Sequence, residues 1–210
     1  MIDIHTHILP GVDDGAETVE EALSMLSILK NIGFDTVFLT PHLNHPDVKT
    51  DVENIKKTFE AVKDELEKVG VNVFLGSECY LTPGYTHPLI PLGHTDLVLV
   101  EFPTIGFPHY LENAIFDLQL SGYKVVLAHV ERYEWLIKDK DLIWKLRDRN
   151  VLFQVNVKPL ATRNENALWY YKNDLIDFLG TDIHSADEID LLKIDLREFR
   201  KIFERSWELI

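Results

Sequence analysis

The sequence predicts a parallel (β/α) barrel, closed or nearly closed, over its whole length, with an open doubly wound sheet as second choice. Three observations carry that expectation. Strand-like and helix-like segments alternate along the chain, and repeated crossovers of this kind return each strand in the same direction. The strands are near-continuous apolar runs, as in a sheet covered on both faces. Residues with chemistry gather at strand C-terminal ends, the active face of such barrels, and not at the strand starts Thr36, Val71, Lys124 and Val151.

Met1, Ile2 and Ile4 form a short buried strand, and His5 and His7 leave it on the same side because strand side chains alternate. Pro10 and Gly11 break it, and Asp13-Asp14-Gly15 is a polar turn. Thr18 and Glu21 read as a capping box for a helix whose apolar face is Ala22, Leu23, Met25, Leu26, Ile28 and Leu29, stopped by Gly33. Thr36-Val37-Phe38-Leu39-Thr40 is a strand ended by Pro41-His42. Thr50 and Glu53 are expected to cap a second helix, which stops at Gly70. Val71-Asn72-Val73-Phe74-Leu75-Gly76 is the third strand and ends at Ser77-Glu78. Residues 80–94, rich in Pro, Gly, Tyr and His, read as an ordered surface loop.

Asp96-Leu97-Val98-Leu99-Val100 is a strand ending at Glu101. A helix around residues 114–120 follows, then Lys124-Val125-Val126-Leu127-Ala128, ending at His129. A helix near residues 141–149 precedes the strand Val151-Leu152-Phe153-Gln154-Val155-Asn156. A shorter helix covers residues 166–175. Phe178-Leu179-Gly180-Thr181 ends at Asp182, with His184 after it, and an amphipathic helix of about 18 residues closes the chain.

The 210 residues suit one domain, 1–210, and 46% hydrophobic content is ample for a core. No apolar run is long enough to span a bilayer, and the N-terminus is no signal peptide. A lone Cys79 excludes an internal disulfide and fits a reducing cytoplasm. The formal net charge of -14 argues against nucleic acid as a partner.

The strand ends supply His5 and His7, His42, Glu78, Glu101, His129, and Asp182 with His184, while the sixth strand offers Gln154 and Asn156 instead. Single histidines of this kind often do no more than meet backbone carbonyls. The same residue types at nearly every strand end point to a metal site. A nitrogen–oxygen donor set without thiolate favours Mn, Fe, Co or Zn. So many donors exceed the needs of one ion, so two or three ions bridged by a carboxylate are expected. Such clusters bind phosphoryl oxygens and activate water.

His5-Thr6-His7, Pro41-His42, Glu78, the run Ala128-His129-Val130-Glu131-Arg132-Tyr133 and Thr181-Asp182-Ile183-His184 resemble the PHP (polymerase and histidinol phosphatase) superfamily. Residues 1–15 and the His-Val-Glu-Arg-Tyr run resemble its bacterial metal-dependent tyrosine phosphatases of capsular and exopolysaccharide control. The resemblance implies a distorted (β/α)7 barrel with two to three divalent ions, manganese first. His5, His7, Glu78 and Asp182 would hold one ion; Glu78, Glu101 and His129 a second; Asp14, His42 and His184 a third. Asp13 is the rival to Asp14 in the same turn. Arg132 would clamp the phosphoryl group, and Asp182 and His184 would share in catalysis. The implied reaction is hydrolysis of phosphotyrosine by a metal-activated hydroxide, on a protein such as a bacterial tyrosine kinase of polysaccharide synthesis. The alternative is a small phosphate monoester such as histidinol phosphate.

Cys79 does not open a Cys-x5-Arg phosphate loop, since Tyr85 follows six residues later, and it reads as a small buried residue. His45, His87, His94 and His109 lie in loops and receive no role. Tyr80, Tyr85, Phe107, Tyr110 and Tyr133 are candidates to line a pocket for an aromatic ring.

Overall fold

The computed structural model describes every residue except 87, 189, 190 and 192, so His87 lies outside the described residues. Among the described residues, nine short strands occupy seven positions in a parallel ring. In chain order they are β1 (Ile2–Asp3), β2 (Thr36–Leu39) continued by β3 (His42–Leu43), β4 (Asn72–Leu75) continued by β5 (Glu78–Tyr80), β6 (Leu97–Glu101), β7 (Lys124–Leu127), β8 (Leu152–Asn156) and β9 (Phe178–Gly180). Neighbours in the ring are neighbours in sequence, and every pair is parallel. Hydrogen bonding continues across the two interruptions, from Gly76 N–H to Leu39 O at 2.9 Å and from Glu78 N–H to Pro41 O at 3.1 Å. The last position meets the first where Thr6 bridges Ile183, with Asp182 N–H on His5 O at 2.8 Å and His7 N–H on Ile183 O at 3.0 Å.

The distortion has a local cause. β4 pairs with β2 but not with β6; instead Gly93 N–H reaches Leu75 O at 2.7 Å from the irregular segment 81–96. Its described residues Leu81, Leu89, Ile90 and Leu92 are tucked in, in the stretch the sequence suggests as an ordered loop. Elsewhere the crossovers are helical: α1 (Val19–Ile32), α2 (Val52–Leu66), α3 (Leu111–Leu120), α4 (Glu134–Lys138) with α5 (Lys140–Asp148), and α6 (Val157–Ala161) with α7 (Glu165–Lys172). α8 (Arg200–Leu209) packs on β9 and β1 and covers the seam. Strand residues such as Val98, Leu99, Val100, Val125, Val126 and Leu127 are buried regardless of the face they point to. Each such side chain contributes about 1.5–3 kcal/mol relative to exposure, which explains why both faces read as apolar.

Two buried acids fasten the ring. Asp3 takes Thr181 N–H and Oγ1–H at 3.0 and 2.6 Å and His5 N–H at 3.2 Å, joining β1 to the end of β9. Burial outweighs those bonds and raises its pKa to about 6. Asp177, just before β9, pairs with Arg147 of α5 and accepts Phe153 N–H at 2.8 Å, while its carbonyl takes Ser206 Oγ–H of α8 at 2.8 Å.

Several local expectations change. Thr18 accepts Glu21 N–H at 3.2 Å, but the Glu21 carboxylate takes Glu17 N–H, so only half of the capping box forms. α2 is capped by Asp51, which accepts Asn54 N–H at 2.9 Å, because the Thr50 hydroxyl is spent on the carbonyl of His42. The helix expected to reach residue 175 ends at Lys172, where the chain turns through Asp174 at φ 53°. The closing helix is shorter than expected: ten residues, preceded by a 3-10 turn, Leu196–Phe199. Gly33 does stop α1, at φ 111° with its N–H on Leu29 O and Lys30 O.

Candidate metal centre

The seven positions open at one mouth, and there the structure brings together the residues singled out in the sequence. His5 and His7 lie just past β1, His42 starts β3, Glu78 starts β5, Glu101 ends β6, His129 lies two residues past β7 and Asp182 two past β9. All are buried. Their donor atoms form groups within 4.8 Å: His5, His7 and Asp182; Glu78, Glu101 and His129; and His7, Asp14, His42 and His184.

At the innermost point two imidazoles face two carboxylates. His5 Nε2 and His7 Nε2 are 3.2 Å apart. Glu78 Oε2 lies 3.3 and 3.4 Å from them, and Asp182 Oδ1 3.4 and 3.3 Å. The far nitrogens confirm which atom each ring presents. His7 Nδ1 faces the Asp13 carboxylate at 2.8 Å, and His184 Nδ1 faces the Asp182 carbonyl at 2.9 Å. Carboxylate and carbonyl oxygens only accept, so Nδ1 carries the proton and Nε2 is turned to the centre. Lone pairs crowded at these distances repel, so a cation or extra protons must sit among them.

Glu78 sits between groups. Its Oε2 faces His5, His7 and, at 3.0 Å, His42 Nδ1, while Oε1 meets His129 Nε2 at 2.7 Å. Glu101 lies 3.7 Å from His129 Nε2 and 3.6 Å from His42 Nδ1. On the outer side, Asp14 Oδ1 is 3.5 Å from His42 Nε2 and 3.7 Å from His184 Nε2. Glu101 Oε1 and His42 Nδ1 are buried without a hydrogen-bond partner. Orphaned donor-set atoms facing one space fit a divalent cation.

With protons alone, charge is shared inside the cluster. Burial opposes ionisation of Glu78 and Asp182, yet the neighbouring imidazoles hold both carboxylates well below the usual range. Burial likewise opposes charge on the rings, but Asp13, Asp182 and Glu78 raise His7 well above its ordinary value, and Glu101 and Glu78 raise His42 to about 10. His129 and Asp182 also hold left-handed backbone, φ 33° and 56°, which costs non-glycine residues about 1–3 kcal/mol each.

The turn after β1 shapes the near wall. A Cβ on Gly15 would stand 1.8 Å from the His7 carbonyl oxygen, so only glycine lets the turn lie against His7. Asp13 packs beneath that turn, accepting His42 N–H at 3.0 Å and Gly15 N–H at 3.1 Å besides His7. Burial notwithstanding, these bonds bring its pKa down to about 2. Both oxygens of Asp13 are therefore engaged in holding His7 and the turn, whereas half-exposed Asp14 points a carboxylate at His42 and His184.

Arg132 stands half-exposed at the mouth with Nη2 on Asp182 Oδ2 at 2.5 Å. Burial, with Glu101 and Glu78 nearby, pushes the Cys79 thiol up to about 12, which leaves it protonated and unreactive. The five aromatic candidates do not share one pocket. Tyr133 is buried, its hydroxyl accepting Phe102 N–H at 3.1 Å. Tyr85 and Tyr110 line a cavity of about 810 Å³ against α3, with none of the metal-capable residues in its wall. Phe107 packs edge-on to Trp135, and Tyr80 lies beside His45.

Sequence reasoning missed His45, whose ring stacks on His42 at 4.4 Å and whose donor atom groups with His42 and Glu101. Its signal was position: it follows His42 by three residues, just past a strand end that already carries a donor. His94 instead meets Phe74, and His109 meets Phe107, away from these groups.

A parallel barrel whose strand ends converge on a nitrogen- and oxygen-lined cluster defines a metal-dependent hydrolase. The chain belongs to the family described as capsular polysaccharide synthesis, CpsB/CapC, whose model matches residues 1–191. It is 29% identical over 198 residues to the tyrosine-protein phosphatase YwqE of Bacillus subtilis, covering 89% of this chain and 78% of that one. It is 29% identical over 231 residues to the tyrosine-protein phosphatase CpsB of Streptococcus agalactiae, covering 100% and 94%. Among solved structures, one described as YwqE from Bacillus subtilis and CpsB from Streptococcus pneumoniae, unique metal-dependent tyrosine phosphatases, matches with a TM-score of 0.81 at 27% identity, over 98% of this chain and 87% of that one. A histidinol phosphate phosphatase from Lactococcus lactis shares the fold, with a TM-score of 0.61 at 13% identity over 98% and 93%.

Proposed function

We propose that this chain is a metal-dependent protein-tyrosine phosphatase that hydrolyses phosphotyrosine without a phosphoenzyme. The observation that carries it is the inward convergence of His5, His7, Glu78 and Asp182 in a chain whose relatives are named tyrosine-protein phosphatases. His5, His7, Glu78 and Asp182 would hold one ion, Glu78, Glu101 and His129 a second, and Asp14, His42 and His184 a third. Manganese is the first choice, with iron, cobalt or zinc as alternatives. When bound, these ions supply Lewis-acid charge for phosphoryl oxygens and a nucleophilic water near neutral pH.

The chain's own residues do the rest. Arg132 uses Nη2 on Asp182, and its planar fork keeps donors for the phosphoryl oxygens. Asp182 thereby fixes the clamp relative to the centre. His184, with Nδ1 on the Asp182 carbonyl, keeps Nε2 toward Asp14. Buried Cys79 takes no part.

The substrate is a phosphotyrosine-bearing protein, a bacterial tyrosine kinase of polysaccharide synthesis. Its support is the family's description and the relatives' names. Nucleic acid and membrane insertion have no place in this reading: the chain carries a net charge of -14, and no helix of the described residues is long and apolar enough to cross a membrane. The lone buried thiol supports a cytoplasmic location.

The test is turnover of a phosphotyrosine peptide, a phosphoserine peptide and histidinol phosphate by manganese-loaded protein. Highest kcat/KM on phosphotyrosine is expected. Preference for histidinol phosphate would replace this reading with the small-monoester one, and no turnover of any of the three would remove it.

A further inference from the structure

Gln154 is fully buried in the middle of β8, a strand whose end, Asn156, offers no charged donor. One neighbour without a choice fixes its orientation. The backbone N–H of His129 can only donate, and it meets Gln154 Oε1 at 2.7 Å. Oε1 is therefore the carbonyl oxygen, and Nε2 donates to Asn156 Oδ1 at 2.8 Å. Asn156 must then turn its Nδ2 the other way, onto Asp182 Oδ2 at 2.9 Å. The same Asp182 oxygen takes Arg132 Nη2. On the near side, Gln154 Oε1 also lies 3.1 Å from His5 Nδ1. A carbonyl oxygen only accepts, so the proton sits on Nδ1 of His5, and Nε2 faces His7, Glu78 and Asp182.

We propose that Gln154 is a positioning residue that sets the tautomer of His5 and, through Asn156, holds Asp182 and Arg132 in register with it. The inference rests on the metal centre proposed above. Without the Gln154 oxygen, His5 gains more from placing its N–H on Nε2, where Glu78 and Asp182 accept it at 3.3 and 3.4 Å. That tautomer fills the space between the two rings with a proton and denies the cation a lone pair. The same loss frees the N–H of His129, held at φ 33°. One amide oxygen thus holds His5 through its ring and His129 through its backbone.

The test uses the full chain, zinc-loaded, with three measurements: zinc affinity by chelator competition, the downfield Nδ1–H proton resonance of His5, and thermal unfolding of the metal-free protein. Gln154→Met should weaken zinc binding by about 10- to 100-fold, the usual effect of removing an outer partner of a metal-bound histidine. It should also lose the His5 resonance. Gln154→Glu keeps the accepting oxygen and should recover the resonance and most of the affinity. If Gln154→Met binds zinc within about twofold of the parent, or if the Met and Glu variants lose affinity equally, the proposal is overturned. Should Gln154→Met fail to fold, a folded Gln154→Glu lacking the His5 resonance overturns it too. A parent chain that binds neither zinc nor manganese sinks the proposed function itself, an outcome distinct from these.

Discussion

The Nε2 atoms of His5 and His7 stand 3.2 Å apart, and each ring has an acceptor at its other nitrogen. Two lone pairs at that distance are tolerable only with positive charge between them. Protons and metal ions therefore compete for one space.

That competition has a pH signature. In the metal-free protein His42 is raised to about 10, so its stabilising share is complete below the unfolded value of 6.5 and is lost as pH rises toward 10. Glu78 and Asp182 are lowered, so theirs is present above their unfolded values and lost as pH falls. Thermal unfolding in chelator should show greatest stability near about pH 5–6 and a decline toward pH 10. Saturating manganese should flatten the alkaline decline, because bound rings have already given up the competing protons. A metal-free protein that grows more stable from pH 7 to 10 would contradict the arrangement.

His7→Ala or Asp182→Ala should remove bound metal and turnover together. We expect kcat/KM to fall by about 10³ or more, equivalent to at least about 4 kcal/mol of transition-state stabilisation. Metal content and steady-state kinetics on the same preparation check it; full metal with no activity would assign these residues to a different role.

Arg132→Ala should fold and keep its metal, since the side chain is half-exposed, yet lose about 10²–10³ in kcat/KM for aryl phosphates. Arg132→Lys should recover only part, lacking the planar fork. Unchanged kinetics would remove the clamp.

Asp177→Ala should destabilise by about 1–3 kcal/mol, the cost of leaving a buried donor without its acceptor. It leaves Arg147 unpaired and the N–H of Phe153 without its acceptor. Urea unfolding measures the loss, while activity per folded molecule should be unchanged, because Asp177 lies at the opposite end of the strands from the mouth.

Cys79→Ala and thiol alkylation should leave turnover within about twofold, as expected for a thiol that stays protonated. Inactivation by either would restore a cysteine mechanism.

Much of this site was legible because parallel strands end on one side. A polar residue closing an apolar run therefore has few places to go, and His42, Glu78, Glu101, His129 and Asp182 follow from that rule alone. Helix ends were less legible. Thr50 lost its capping role to a carbonyl contact with His42 that no local pattern reveals. Asp13 and Asp14 are neighbours with the same side chain, and only the fold of the turn onto His7 separates them. The importance of His45 and Gln154 comes from ring stacking and amide orientation across the barrel, which no local pattern reveals.

The most direct measurement is elemental analysis of the purified chain paired with phosphotyrosine turnover before and after chelation. Two to three divalent ions per chain should be found after manganese loading, with turnover abolished by EDTA and restored by manganese. Less than one ion per folded chain, or full turnover in metal-free protein, would contradict the cluster at the barrel mouth.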